Sequence, residues 1–440
     1  MKKIKTKSPS MLQSHLKSCD LDTIAESVGL LKRTPKKISP FMLLATFVLL
    51  GSYSSPAYST CASIIAVFFR LRISKQAIWK RVQSPLVEFL RLVLQQKLYN
   101  TVTAALPSDS GCFASFKRVL VQDSTTIKLP YRLANIYTST SNKKHSKPAA
   151  TLKIQAIIDL KNNVFTWFQL TPFRTSDQIS GKDILSDIHP GDLLVRDLGY
   201  YNLKVFKKVI DAGASVLSRC KFKTALSLPN GKRIYLKDIL RRYKVKDINV
   251  IAGTNKKVAL RLVAIPIPQK IANKRRLKLD KDIRHKTGKP PTKEQLDMLN
   301  WEIFLTNVSE EIWSPQDIAN VYGCRWRIEN IFKTWKSTFK ITNLSLLGSK
   351  HQTEATIYGR LIFIMCFQNH FFNPLRQANR DSEFSMFKVA KFWQDHFLVI
   401  ISNPDILKNI LNNISDYGGL LKYEKRKRLN FEQIFIYMGI

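Results

Sequence analysis

Tyr322, Arg325, Glu329 and Lys336 stand at offsets 0, 3, 7 and 14 in Val-Tyr-Gly-Cys-Arg-Trp-Arg-Ile-Glu-Asn-Ile-Phe-Lys-Thr-Trp-Lys, residues 321–336. A carboxylate in such company can hold a hard cation, while the guanidinium and the ammonium grip an anion such as a phosphate. The stretch has no Pro and a single Gly, Gly323, near its start, so it reads as one helix. At ~100° per residue the four side chains fall within a ~60° arc and line one stripe. Val321, Ile328, Ile331, Phe332, Trp335 and Phe339 occupy the neighbouring arc and must face a core. The stripe then runs along the border of packed and open surface, where a carboxylate is held yet accessible. Taken alone, the same pattern also describes a solvated charged face.

Two aspartates change that balance. Residues 118–129, Arg-Val-Leu-Val-Gln-Asp-Ser-Thr-Thr-Ile-Lys-Leu, read as a strand with Asp123 in its middle. Residues 191–202, Gly-Asp-Leu-Leu-Val-Arg-Asp-Leu-Gly-Tyr-Tyr-Asn, read as a short buried strand ending at Asp197 before a Gly turn. An acid in or at the end of an apolar strand is costly to bury unless something pairs with it. A divalent metal is one such partner, and two Asp plus a Glu make a hard oxygen set suited to Mg²⁺ or Mn²⁺. Asp192 is a rival second ligand, but it precedes the apolar run and belongs at the strand's far end. Singly, Asp123 could be a strand-edge residue and Asp197 a turn former ahead of Gly199.

In this order, these segments resemble the DDE-class transposases of bacterial insertion sequences, in the group carrying a Tyr-x2-Arg-x3-Glu-x6-Lys motif. The motif is complete here as Tyr322, Arg325, Glu329 and Lys336, and the resemblance spans about residues 30–375. It implies a mixed α/β fold: a ribonuclease-H-like catalytic core with a β-strand insertion, a helical N-terminal DNA-binding domain and a helical C-terminal region. It also implies that Asp123, Asp197 and Glu329 are catalytic and hold Mg²⁺, two ions, with Mn²⁺ as a substitute and Asp123 as the bridge. Tyr322, Arg325 and Lys336 would contact phosphates beside the cut. The implied reaction is strand cleavage at an element end, followed by attack of the freed 3′-OH on target DNA. The implied assembly is a homodimer on double-stranded DNA, both terminal inverted repeats and target.

Composition points the same way independently. Lys plus Arg number 71 against 32 Asp plus Glu, a net charge of +39, which calls for a polyanionic partner. The most apolar run, Phe41 to Leu50, is ten residues long and fits a buried helix better than a membrane span. The basic start, Met1 to Lys7, leads into polar residues rather than the apolar core of a secretory signal. Six scattered cysteines without a Cys-x2-Cys pair fit a reducing compartment and argue against zinc or a disulfide framework. The expectation is a cytoplasmic, nucleoid-associated protein.

The elements that must position these residues follow in chain order. Residues 1–40 read as a basic arm with one short helix at Leu21 to Leu31, and 41–107 as a helical DNA-binding domain. There, Ser74 is a good N-cap for a helix that offers Lys75, Lys80 and Arg81 to phosphates. The unit reads equally as a helix-turn-helix or as an amphipathic bundle helix. The catalytic domain is expected over 108–375. Strands at Ala150–Asp159 and Asn163–Leu170 should form a hairpin, and a helix at Ser176–Ile188 should lead into the Asp197 strand. A β-rich insertion is expected at about 205–310, with a basic helix and mobile loop at 268–298. Trp301–Val308 reads as a returning strand, and Ser314-Pro315 as the start of the motif helix. Glu354 to Phe372 should be an apolar helix on the sheet, and 376–440 a helical C-terminal region. The loop Asn142–Lys147 reads as either a solvated or a phosphate-contacting loop, the C-terminal region carries a late basic run at 422–428, and Trp301 or Trp313 could stack on a flipped base. The competing reading is a non-catalytic, repurposed sequence-specific DNA binder; the intact acidic triad and the full helix motif argue against it.

Overall fold

A computed structural model describes residues 20–32, 37–53, 57–104, 111–139, 149–255, 257–344, 348–379 and 383–423. Asn142–Lys147, the first nineteen residues and the basic run after Tyr423 lie outside them. The fold is mixed α/β, built on one ten-stranded sheet in the order β3-β2-β1-β4-β5-β10-β9-β8-β6-β7. The strands are β1 Val119–Leu129, β2 Ala150–Asp159, β3 Val164–Pro172, β4 Leu193–Arg196, β5 Ser215–Arg219, β6 Leu226–Ser227, β7 Arg233–Ile234, β8 Lys246–Ala252, β9 Val258–Pro266 and β10 Trp301–Thr306. β1, β2 and β3 form an antiparallel meander, and β4 and β5 run parallel to β1. From β10 outward the pairing is antiparallel, so the region between Asp197 and Glu329 extends the central sheet. β5, within the stretch read as insertion, is the direct parallel neighbour of β4.

The helices are α1 Leu21–Ser27, α2 Pro40–Leu50, α3 Tyr58–Phe69, α4 Lys75–Trp79, α5 Ser84–Ala104, α6 Asp177–Ser180, α7 Leu203–Asp211, α8 Leu236–Ile239, α9 Gln269–Thr287, α10 Lys293–Met298, α11 Pro315–Cys324, α12 Trp326–Ser337, α13 Lys350–Phe367, α14 Asn373–Ala378, α15 Met386–Ser402, α16 Pro404–Asn412 and α17 Gly418–Leu421. α2 is apolar all round and buried along Leu43–Leu50, as a helix enclosed by others must be. No described helix is long and apolar enough to cross a membrane.

Several expectations need correction. The motif helix is two helices, α11 and α12, meeting at Arg325. At the joint the amides of Arg325 and Ile328 reach back three residues, to Tyr322 and Arg325, rather than four, which tightens the turn. The helix expected at 176–188 is only α6 and a 3₁₀ turn at Asp183–Ser186, because Gly181 and Arg196 intervene: the Arg196 guanidinium donates to the Gly181 carbonyl. The helix after Ser74 is the five-residue α4. α13 packs chiefly on α2 and α5 rather than on the sheet. It can approach α2 closely because residue 359 is Gly; a Cβ there would lie 2.6 Å from the Phe47 carbonyl oxygen. Trp313 is fully buried against Phe116 and donates to the Cys112 carbonyl, and Trp301 is buried against Tyr243. Neither is available to stack on a base.

One continuous apolar core joins the N-terminal helices, β1–β3, α11–α13 and the C-terminal helices. Val321, Ile328, Ile331, Phe332, Trp335 and Phe339 are all buried in it. Trp335 packs on Phe165 and Phe168 of β3, which fixes α12 across the meander. A second core beneath β4, β5 and β8–β10 is lined by α7.

Candidate active site

The register of β1 and β4 sets the first two carboxylates. The parallel pairing ends with Gln122 opposite Arg196, and the next residue along the chain is an aspartate in each case, Asp123 within β1 and Asp197 just past the end of β4. Side chains alternate along a strand. Gln122 and Arg196 therefore point to the face of α6, where Arg196 donates to Gln122 at 2.7 Å and Gln122 to the Ser180 carbonyl at 3.1 Å. Asp123 and Asp197 point to the other face, toward α11 and α12.

Those helices supply the rest. Ser314 caps α11 through a reciprocal bond with Asp317, with Pro315 at the first position. Arg261 of β9 anchors that helix start. It pairs with Asp247 at 2.5 Å and donates to the carbonyls of Val308, Ser309 and Trp313. So held, α11 places Tyr322 against Phe304 of β10, with its hydroxyl donating to Asp197 at 3.2 Å.

Arg325, at the joint, is the hub. Its guanidinium donates to Glu329 at 2.6 Å and to Asp123 at 3.3 Å, and its Nε lies 3.9 Å from Asp197. All three acidic side chains thus converge on one cation that is itself 9% exposed. Asp123 is 19% exposed, Glu329 29% and Asp197 44%, so the cluster opens to one side. Burial pushes the Asp123 carboxyl up to about 6, helped by the charges of Glu329 and Asp197 and opposed by the Ser124 amide and Arg325. Burial pulls the Arg325 guanidinium down, but Asp197, Tyr322, Glu329 and Asp123 more than restore it and keep it cationic. Burial, then the charge of Asp197, raises the Tyr322 phenol to about 12.

Among the described residues, no three His, Cys, Asp or Glu side chains stand close enough to share one ion in this conformation. Arg325 lies between the carboxylates instead. The chemistry of the donor set still fits a hard divalent cation: oxygen ligands only, with more negative charge than one guanidinium balances. Lys336 is exposed on α12, one turn beyond Lys333, which covers the Trp326 ring. Lys75, Lys80 and Arg81 are exposed around α4, with Ser74 capping it as expected, but no described contact links them to the carboxylates. Asp192 is 1% exposed at the opposite end of β4 and is paired with Arg118.

Sequence reasoning missed the bridging role of Arg325 and also Arg219, whose guanidinium lies over the Tyr322 ring at 5.3 Å. An arginine closing the apolar run Ser-Val-Leu-Ser-Arg of β5 was the available signal, of the same kind that singled out Asp197.

A family profile described as "Transposase DDE domain" matches residues 114–365. The chain is 28% identical over 97% of its length, and 93% of the relative's, to the transposase for insertion sequence element IS231B of Bacillus thuringiensis subsp. berliner. It is 27% identical to that of IS231D of Bacillus thuringiensis subsp. finitimus, covering 98% and 94% of the two chains. Among solved structures, the piggyBac transposase synaptic complex with hairpin DNA matches at a TM-score of 0.40 and 10% identity, over 98% of this chain and 89% of that one.

Proposed function

This chain belongs to the DDE-domain transposase family, and from that premise we propose that Asp123, Asp197 and Glu329 are the carboxylates with which it cuts and joins DNA. It is a DNA transposase, an enzyme of strand cleavage and strand transfer. The observation that carries the residue assignment is the convergence of the three acids, from strands and helix 74 to 206 positions apart, on the single guanidinium of Arg325. The strand order β3-β2-β1-β4-β5 supports a ribonuclease-H-like core carrying an insertion.

DDE domains use divalent metal ions; in our reading Mg²⁺, two ions with Mn²⁺ as a substitute, is held by Asp123, Asp197 and Glu329. A bound cation of this kind supplies Lewis acidity and lowers the pKa of a coordinated water. The protein's own contribution is placement. β1 and β4 hold Asp123 and Asp197 side by side, and Gln122 and Arg196 brace the strands from behind. Arg325 offsets part of the acids' charge in the free protein. With a cation balancing those acids, the planar fork of Arg325 would be available to grip a phosphate of the strand beside the cut. Lys336 offers a second, solvated charge, and the Tyr322 hydroxyl orients Asp197. Lys75, Lys80 and Arg81 would contact the element end, and the working form would be a homodimer on that DNA.

The test is Mg²⁺-dependent cleavage of duplexes carrying the ends of the chain's own element, wild type beside Asp123→Asn. Cutting at the boundary by the wild type alone supports both the activity and the site. Equal cutting by the variant removes Asp123 from the site, whereas tight binding without cutting by either protein favours a DNA binder that has lost turnover.

A further inference from the structure

α9 carries a charge pattern that the cleavage site does not use. Lys270, Lys274, Lys278, Lys281 and His285 sit at offsets 0, 4, 8, 11 and 15, and all are exposed. At ~100° and ~1.5 Å per residue they fill a ~80° arc over ~22 Å, close to the axial rise of about six base pairs. Ala272, Arg275, Arg276, Leu279 and Ile283 lie on the opposite, more buried side, so the lysines point away from the protein. None of the four has an ion pair among the described residues. Asp280 lies off the stripe and pairs with Arg284 at 2.8 Å, and Asp282 falls ~40° beyond the stripe's edge.

An ordinary solvated helix intersperses acids at i,i+4. Here Lys270, Lys274 and Lys278 repeat like charge at that spacing, which costs the helix a few tenths of a kcal/mol per pair. The arrangement therefore works against the helix itself and suits an external polyanion.

The base of α9 is tied toward the carboxylates. Arg275 pairs with Glu302 at 2.8 Å, and Glu302 also takes Arg219 at 3.0 Å. Arg219 lies over the Tyr322 ring, and the Tyr322 hydroxyl reaches Asp197. Arg276 fixes the other side of the helix base through Asn300.

We propose that the Lys270–Lys274–Lys278–Lys281 face of α9 is a track for the phosphate backbone of duplex DNA running away from the cleavage site. This rests on the transposase reading, which fixes the polyanion as DNA. Each lysine that neutralises a phosphate adds ~0.9 to the slope of log K against log[salt].

The experiment is fluorescence anisotropy with a duplex carrying the element end and its flank, titrated across a salt series. It compares wild type, the quadruple Lys→Gln variant of the face, a quadruple Lys→Arg variant, and a control, Lys204→Gln/Lys207→Gln/Lys208→Gln, on the exposed side of α7. The glutamine variant should lose about 3–4 from the slope, and more than tenfold in affinity at physiological salt. The arginine variant should keep both. A slope within about 1 of wild type for the glutamine variant, or an equal loss per charge in the control, overturns the track. Cleavage of a short duplex ending at the cut is measured alongside. Its retention in the glutamine variant with a lowered slope supports the proposal, while failure of the wild type to cut counts against the transposase reading rather than the track.

Discussion

The two ends of β1 and β4 use the same residue types and do opposite things with them. At the N-terminal end, Arg118 grips Asp192 through two bonds of 3.0 and 2.6 Å, and the His189 amide adds a third at 2.8 Å. Asp159 beside it accepts from the amides of Val119 and Lys161 and from Asn162. These carboxylates are saturated and closed to solvent. At the C-terminal end, Asp123, Asp197 and Glu329 share Arg325, with only the Ser124 amide and the Tyr322 hydroxyl besides among the described residues. They are undersaturated and partly open. Acid placed in a sheet thus becomes structure where the fold supplies every donor, and a candidate site where it withholds them.

The sharpest way to break the contrast is Glu329→Gln against Asp192→Asn. Glu329→Gln should lower cleavage by at least about 10³-fold, the rate equivalent of a few kcal/mol of lost charge stabilisation, and leave DNA binding intact. Unchanged cleavage would remove Glu329 from the site. Asp192→Asn should do the reverse: a loss of about 2 kcal/mol in stability from removing one of the two carboxylates on Arg118, which keeps Asp187, read by denaturant melts, with cleavage per folded molecule within a few-fold of wild type. A large loss of activity there would mean that both ends serve catalysis.

Effects of pH and metal refine the picture. In EDTA, Asp123 titrates near 3.8 in the unfolded chain and at about 6 in the folded one, so between those values the folded state holds the extra proton. Its stability contribution is fully present below about 4 and is lost as pH rises to 6, by on the order of 3 kcal/mol. Asp123→Asn should therefore gain on wild type between pH 4.5 and 8 in thermal melts; parallel curves would contradict the burial of that carboxyl. At about ten times its dissociation constant, Mg²⁺ should add about 1.4 kcal/mol to the wild type at pH 8. The same addition should stabilise Asp192→Asn but hardly affect Glu329→Gln.

The elements that carry the candidate site were legible because their signals are local. The Ser314 cap, the helical spacing of Tyr322, Glu329 and Lys336, and Asp123 within and Asp197 just after an apolar strand each depend on a few neighbouring residues and the fixed periods of helix and strand. The joint at Arg325 was not legible, since a helix and a tightened helix share the same apolar spacing. Nor was the burial of Trp313, which depends on Phe116 and Cys112 some two hundred positions away.

The sequence by itself determined which groups could do chemistry here, and that the chain's partner is a polyanion, because residue type and net charge do not depend on the fold. The tertiary structure alone decided which acids meet. Asp123 and Arg325 are 202 positions apart, and their contact follows from the parallel register of β1 with β4 and from the seating of Trp335 on β3. Such pairings are set by packing over the whole sheet, and no short stretch of sequence contains them.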